Sequence, residues 1–239
     1  MANYYVGTAG TTPISRNSYS VTTTDPTDVF SFDVFGSNQN INLNLHNIRY
    51  GDADIRLYRD NNYNGVVDAS DTYITGSARG GTSDDSVNVS GLSGGRYLAQ
   101  VYRYSGTAVY YDLDISTARP SNLLSREVNV GALTSDRNYG GSISNYNTAD
   151  VYSFSLGFYA GVNINLTGLS NDADIRLIRD NNNNGIVDSG EVVGSSTRGG
   201  TLSDSIRTDL SGNYFLQVYQ YSGSTGYTLN FDHFTTTYA

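Results

Sequence analysis

Residues 52–71, DADIRLYRDNNYNGVVDASD, recur almost unchanged as residues 172–191, DADIRLIRDNNNNGIVDSGE. In both copies the first nine residues alternate apolar with polar side chains, as Ile55 and Leu57 do with Arg56, and this is the period of a β-strand. The residues that follow are rich in Asn, Asp and Gly, which predicts a loop at the end of that strand. A strand and loop repeated at this separation predict a chain of two homologous β domains.

Each loop has the ligand spacing of an EF-hand-type calcium loop. Calcium takes about six to eight oxygen ligands at about 2.3–2.6 Å, so the chain must curl around the ion, and glycine at position 6 permits that turn. The twelve-residue spacing therefore predicts two Ca²⁺ ions per chain. The predicted ligands, with position 7 acting through its main-chain carbonyl and position 9 through water, are Asp60, Asn62, Asn64, Val66, Asp68 and Asp71 in the first loop, and Asp180, Asn182, Asn184, Ile186, Asp188 and Glu191 in the second.

A metal-free turn is the alternative interpretation of these loops, because Asn, Asp and Gly are common in hairpins of any kind. Two copies that keep all the ligand positions, while residues between them vary as Tyr63 does against Asn183, favour calcium. The loop follows a strand, so a sensor that works by opening a pair of helices is excluded. We expect the calcium to be structural, with folding and metal binding linked.

Both halves contain the same further runs of alternating residues, in the same order. The last two runs of each half are predicted to form a hairpin. The matching pairs are VFSFDVF (29–35) with VYSFSL (151–156), INLNLHNI (41–48) with VNINLTGL (162–169), RYLAQVYRYSG (96–106) with NYFLQVYQYSG (213–223), and AVYYDLDIS (108–116) with YTLNF (227–231).

These runs predict an all-β fold of two tandem, antiparallel, jelly-roll-like β-sandwich domains, residues 1–118 and 124–239. The segment ARPSNLLS, residues 118–125, is the predicted linker, because Pro120 cannot continue a strand. Each half is long enough to bury a core of its own.

The order of these motifs resembles the bacterial pre-peptidase C-terminal domain family, a β-sandwich found on secreted proteases and other extracellular proteins. The resemblance implies a non-catalytic extracellular module that assists folding, secretion or substrate attachment of a partner. The twelve-position loop departs from the family's common pattern, so the calcium prediction rests on the loop. The motifs that carry the resemblance are DVFSFDV, NLNLHNI, DADIRLYRD, GGRYLAQVYRYSG and YYDLDI, repeated as DVYSFSL, NINLTGL, DADIRLIRD, SGNYFLQVYQYSG and YTLNF.

The composition of the chain argues against nucleic acid and membranes as partners. The formal net charge is −9, which argues against nucleic acid. The chain has no cysteine, and no apolar run approaches the roughly 20 residues of a membrane span. The first residues, MANYYVGTAG, lack the pattern of a signal peptide. Together with the family resemblance, the sequence predicts an extracellular or cell-surface bacterial location and no insertion into a membrane.

Few residues are suited to catalysis. The only histidines are His46 and His233, neither is repeated in the other half, and there is no cysteine, so we expect no enzymatic activity. The acids two residues apart on the repeated strand share one face of the sheet. They could form an additional cation site or pair with arginine, but we expect them to face solvent. These residues are Asp52, Asp54 and Arg56, with Asp172, Asp174 and Arg176.

We therefore expect a calcium-binding accessory, adhesive or spacer unit of a secreted or surface protein. Its expected partners are a parent hydrolase, a surface polysaccharide or other copies of itself. The alternative is a carbohydrate-binding module that uses a tyrosine-rich sheet face, although aromatic residues also fit ordinary sheet packing. The tyrosines concerned are Tyr97, Tyr102, Tyr104, Tyr110 and Tyr111, and then Tyr214, Tyr219, Tyr221 and Tyr227.

Overall fold

The computed structural model describes residues 2–236, and all of its regular elements are β-strands. The chain divides into two compact units, residues 1–125 and 126–239. This break differs from the predicted linker at 118–125, which lies in the first unit. The reason is hydrogen bonding: the side-chain amide of Asn42 donates to the carbonyl of Ala118 at 2.9 Å, and that of Asn122 donates to the carbonyl of Thr11 at 3.0 Å.

The first unit is a sandwich of two sheets. One sheet has the strand order β1-β3-β8-β5-β6 and the other has the order β2-β9-β4-β7. The strands are β1 Ala2–Thr8, β2 Ile14–Thr22, β3 Thr27–Val34, β4 Gln39–Arg49, β5 Asp52–Asp60, β6 Thr72–Ser77, β7 Asp85–Leu92, β8 Gly95–Ser105 and β9 Ala108–Ser116.

The second unit repeats this topology strand for strand. Its sheets have the orders β10-β12-β17-β14-β15 and β11-β18-β13-β16. The strands are β10 Val128–Ala132, β11 Arg137–Ile143, β12 Ala149–Leu156, β13 Ala160–Thr167, β14 Ala173–Ile178, β15 Val192–Ser196, β16 Asp204–Thr208, β17 Gly212–Gln220 and β18 Thr225–Thr235.

A single apolar core lies between the two sheets of each unit. In the first unit the alternating runs send Phe30 and Phe32 of β3 inward to meet Leu43 and Leu45 of β4, and all four are fully or almost fully buried. In the second unit Phe231 lies in the corresponding core, with no exposed surface. Burial of apolar side chains on one face of each strand is the main source of stability in such sandwiches.

The predicted final hairpin of each unit is wrong. Strand β8 pairs on both of its edges, with β3 and β5, so β9 has no free edge to join and enters the other sheet. The chain crosses between the sheets at Gly106, whose φ is 94°. A Cβ at Gly106 would lie 2.7 Å from the carbonyl oxygen of Tyr50, so the crossing is too close for a larger residue. Strands β17 and β18 likewise lie in different sheets.

The fold is the predicted pair of antiparallel sandwiches, but the first strand of each five-stranded sheet pairs in parallel. Strand β1 pairs with β3 in parallel, and β10 pairs with β12 in parallel, whereas the other strand pairs are antiparallel. A parallel pair needs a long connection rather than a hairpin turn. Here β2 and β11 supply it, because each lies in the opposite sheet between the two paired strands in sequence.

Candidate metal centres

The first predicted calcium loop joins two neighbouring strands. Strand β5 ends at Asp60, whose side chain is buried although it starts an exposed loop, and strand β6 begins at Thr72. The second loop occupies the same place between β14 and β15. Each loop is therefore held at both ends by a sheet, which fixes the separation of its first and last residues.

The carboxylate at position 1 is held by two main-chain amides of its own loop. Asp60 accepts hydrogen bonds from the N–H groups of Asn64, at 3.2 Å, and Gly65, at 2.9 Å. Asp180 accepts from Asn184 at 3.1 Å and from Gly185 at 2.9 Å. The chain thus curls around this carboxylate in the same way in both units.

The carboxylate at position 12 closes the loop from the other side. Asp71 accepts from the N–H of Asn61 at 3.1 Å and from the N–H of Asp68 at 3.0 Å. Glu191 makes the corresponding two bonds, each at 2.9 Å, to the N–H groups of residues 181 and 188. The longer side chain of Glu191 therefore serves the same purpose as the shorter Asp71.

Positions 3, 5 and 9 converge in the middle of the loop. The side-chain amides of Asn62 and Asn64 both donate to Asp68, at 3.0 and 2.8 Å. In the second loop Asn182 and Asn184 donate to Asp188, both at 2.8 Å. The structure therefore brings together the side chains at positions 3, 5 and 9 of each loop.

Asp68 is further stabilised in its charged form. Hydrogen bonds from the hydroxyl and then the main-chain N–H of Ser70, followed by those from Asn64 and Asn62, hold the pKa of Asp68 well below its usual range. Asp68 is therefore negatively charged at neutral pH.

The main chain of both loops has the conformation that the glycine at position 6 predicts. The φ angles are 73° at Gly65 and 74° at Gly185. Position 4 is also left-handed, with φ of 60° at Tyr63 and 55° at Asn183, which the ligand spacing did not predict. Asn adopts such angles readily, whereas Tyr does so rarely. Asn183 in the second loop is therefore typical of a left-handed position, but Tyr63 in the first loop is not.

The donor set of each loop consists of oxygen atoms. Within residues 2–236 no three His, Cys, Asp or Glu side chains are grouped closely enough to hold a metal ion by themselves. A cation in either loop would therefore need amide and main-chain oxygens as well as carboxylates. Calcium accepts such mixed oxygen ligands, whereas zinc prefers His and Cys, so the residues present fit calcium.

The acids at the start of the repeated strand are buried. The prediction that they face solvent is wrong. Asp52 is 6% exposed and Asp54 is 3% exposed. Arg56 lies over the ring of Tyr102, with its guanidinium carbon 4.2 Å from the ring centroid.

The tyrosines do not form one face. Strands β8 and β9 lie in different sheets, as do β17 and β18. Buried, half-buried and exposed tyrosines are mixed within each set, which favours sheet packing over a continuous aromatic platform. Tyr97, Tyr111, Tyr214 and Tyr227 are buried, Tyr102 and Tyr219 are half-buried, and Tyr104, Tyr110 and Tyr221 are exposed.

The two histidines lie in different surroundings. Nε2 of His46 is 3.0 Å from a carboxylate oxygen of Asp114. Burial lowers the pKa of His46, but its contact with Asp114 and the nearby negative charge outweigh burial, and the pKa is raised. His233 lies on β18, where its main-chain N–H donates to Asp136 at 2.8 Å. His46 thus contacts a carboxylate through its ring, whereas His233 does so through its main chain.

Comparison with known proteins agrees with the resemblance for the second unit. Residues 148–220 match the model of the bacterial pre-peptidase C-terminal domain family. The pre-peptidase C-terminal domain of Bacillus anthracis collagenase is 22% identical, with 47% of this chain and 91% of that one covered and a TM-score of 0.33. PliG of Aeromonas hydrophila, a periplasmic inhibitor of g-type lysozyme, is 18% identical, with 45% and 96% covered and a TM-score of 0.32. No curated protein matches the chain.

No helix in residues 2–236 has the length and apolar character needed to cross a membrane.

Proposed function

We propose that this chain is a non-catalytic, calcium-binding accessory module of a secreted or surface protein, and that it binds one Ca²⁺ in each of the loops 60–71 and 180–191. The observation that carries the proposal is the identical hydrogen-bonding scheme of the two loops. It is supported by the family that residues 148–220 match, whose members are non-catalytic β-sandwich modules of secreted bacterial proteins.

The loop residues would act as follows. Asp60 and Asp180 supply carboxylate oxygens from position 1, and Asp71 and Glu191 supply them from position 12. The amide oxygens of the Asn residues at positions 3 and 5 each accept one main-chain hydrogen bond, which leaves a second lone pair for a cation. The carbonyl at position 7 and water at position 9 complete the set.

The alternative is a metal-free turn that is held by its own hydrogen bonds. Each loop, however, contains three acids within twelve residues: Asp60, Asp68 and Asp71 in the first. A loop stabilised only by main-chain hydrogen bonds has no need of three negative charges, because neutral Asn or Ser side chains accept the same bonds. A divalent cation accounts for the charges, since it turns their repulsion into attraction.

Calcium binding would make the module more stable outside the cell than in the cytosol. Extracellular modules are filled by calcium with dissociation constants on the order of 10⁻⁴–10⁻³ M, whereas a cytosol with far less free calcium leaves such sites empty. The same sequence would then be less stable before export than after it. As an accessory, adhesive or spacer unit, it would serve a parent hydrolase, a surface polysaccharide or further copies of itself. Because its tyrosines are divided between two sheets, a carbohydrate platform is the weaker proposal.

Calorimetric titration with calcium tests the loops. Replacing Asp60 and Asp180 together by Ala should remove two bound ions per chain relative to the unaltered protein, because position 1 organises the loop. Asp60→Ala alone should remove one. The matched control is Asp209→Ala, which deletes an exposed acid outside the loops and should change nothing. Equal binding by the double variant and the unaltered chain would remove the proposal.

A further inference from the structure

Two buried carboxylates outside the loops each have an oxygen atom without a partner. Asp85, the first residue of β7, has no exposed surface. Its Oδ1 accepts hydrogen bonds from the hydroxyl of Ser77 and, at 2.8 Å, from the N–H of Arg79, but its Oδ2 is buried and accepts none. A buried carboxylate oxygen without a partner costs free energy, so its presence requires a reason.

The second unit repeats this arrangement atom for atom. Asp204, the first residue of β16, is fully buried. Its Oδ1 accepts from the hydroxyl of Ser196 at 2.6 Å and from the N–H of Arg198 at 2.9 Å, while its Oδ2 is again buried without a partner. A buried carboxylate oxygen without a partner thus occurs at matching positions of both units. It is therefore a repeated feature of the fold rather than an isolated packing defect.

A second unpartnered oxygen belongs to the acid at the start of the repeated strand. Oδ1 of Asp52 and Oδ1 of Asp172 are both buried and accept no hydrogen bond. The other oxygen of Asp172 accepts from the N–H of Gly200 at 2.8 Å, and Gly200 lies in the turn that leads to Asp204. This bond draws the start of the strand and the glycine-rich turn together.

The hydrogen bonds of the second unit place two of these acids at one turn. Asp172 accepts from the N–H of Gly200 and Asp204 accepts from the N–H of Arg198, two residues earlier in the same turn. A further buried acid stands two residues along the strand, on the same face, since Asp54 and Asp174 are each 3% exposed. The unpartnered carboxylate oxygens therefore lie in a region that is buried and rich in negative charge.

We propose that each unit binds a second Ca²⁺ at the end of the repeated strand opposite the loop, through the unpartnered oxygens of Asp52 and Asp85 in the first unit and of Asp172 and Asp204 in the second. The unpartnered oxygens identify the side of the cluster that the ion occupies. Within residues 2–236 no group of three or more His, Cys, Asp or Glu side chains could hold a metal, so main-chain oxygens of the turns 79–82 and 198–201 and water complete the two carboxylates of each site.

An all-oxygen set with clustered carboxylates is the ligand chemistry of a hard divalent cation. The ion would neutralise the buried acids and fasten the glycine-rich turn to the strand. The turns have the same left-handed glycine in both units, with φ of 75° at Gly81 and 76° at Gly200, so they present their main chains in the same way. In the sequence these sites are marked by the Asp that follows the R-G-G-T run in both halves, at residues 85 and 204, outside the twelve-residue loops.

Equilibrium dialysis against calcium alone, at about 1 mM free ion where extracellular modules are filled, tests this site separately from the loops. The unaltered chain should bind four ions. Asp85→Asn with Asp204→Asn should bind two, because Asn keeps the hydrogen bonds to Oδ1 while removing the charge. Asp60→Ala with Asp180→Ala should also bind two. The control, Asp84→Asn with Asp209→Asn, should bind four.

Circular dichroism would show that the variants are folded, and Asp52→Asn with Asp172→Asn provides a second pair that should also bind two ions. The proposal is overturned if the Asp85 and Asp204 pair variant binds as many ions as the unaltered chain, or if the loop variant binds none. A third result would separate the two proposals. If Asp60→Ala with Asp180→Ala binds as many ions as the unaltered chain, while Asp85→Asn with Asp204→Asn binds two fewer, the loop sites are overturned and this site is supported.

Discussion

Excess EGTA should lower the free energy of unfolding of each unit by about 2.7 kcal/mol for each loop site, if calcium is otherwise present at about 100 times its dissociation constant. The reason is linkage: the ion binds the folded loop, whereas in the unfolded chain the oxygens of Asp60, Asn62 and Asn64 are no longer held together. Differential scanning calorimetry with and without EGTA measures the effect as a fall in melting temperature.

Chelator effects unrelated to the loops are separated by a variant. The chain with Asp60→Ala and Asp180→Ala should lose the loop component of this response, so its melting temperature should fall less in EGTA than that of the unaltered protein. If the unaltered protein melts at the same temperature in calcium and in EGTA, calcium has no structural role in the loops.

Replacing Phe30 by Ala should destabilise the first unit by about 3–5 kcal/mol, the usual cost of deleting a large aromatic side chain from a packed core. Phe30 has no exposed surface. Its ring centroid lies 5.0 Å from those of both Tyr4 and Tyr19, so the substitution removes two close aromatic contacts as well as buried area. Urea unfolding followed by tyrosine fluorescence measures the loss.

The same experiment examines whether the units fold separately. Each has its own core, so Phe30→Ala should shift the unfolding transition of the first unit and leave that of the second in place. Phe35→Ala is the matched control, because Phe35 is 72% exposed and its loss should change stability little. Equal shifts of both transitions after Phe30→Ala would mean that the chain unfolds as one body.

Local patterns were sufficient to predict the strands. The alternation of VFSFDVF corresponds to β3, Thr27–Val34, with Phe30 and Phe32 inward, because a half-buried strand must present apolar side chains on one face. The left-handed Gly65 was predictable for a similar reason, since the turn requires an angle that other residues rarely adopt.

Pairing between strands was less predictable, because it depends on residues far apart in sequence. RYLAQVYRYSG and AVYYDLDIS are adjacent and alternate in phase, which is typical of a hairpin. Only the fold shows that β3 and β5 already occupy both edges of β8. The parallel pairing of β1 with β3 was invisible for the same reason.

The burial of charge was also missed. Asp54 alternates with Ala53 and Ile55, so the pattern predicted an exposed side chain on the outer face of the sheet. Tyr102 on the neighbouring strand β8 stands opposite Asp54 in the sheet, and the periodic pattern of a single strand does not show which side chain its neighbour supplies. The loop positions were easier, since their ligand spacing is contained within twelve consecutive residues.

A diffraction measurement at a long X-ray wavelength, on crystals grown in about 1 mM calcium, locates the ions themselves through their anomalous scattering. We predict one peak in each of the loops 60–71 and 180–191, about 2.3–2.6 Å from carboxylate oxygens of Asp60 and Asp180. Loops that keep the hydrogen bonds described here and show no anomalous peak at that calcium concentration would contradict the proposal that this chain is a calcium-binding module.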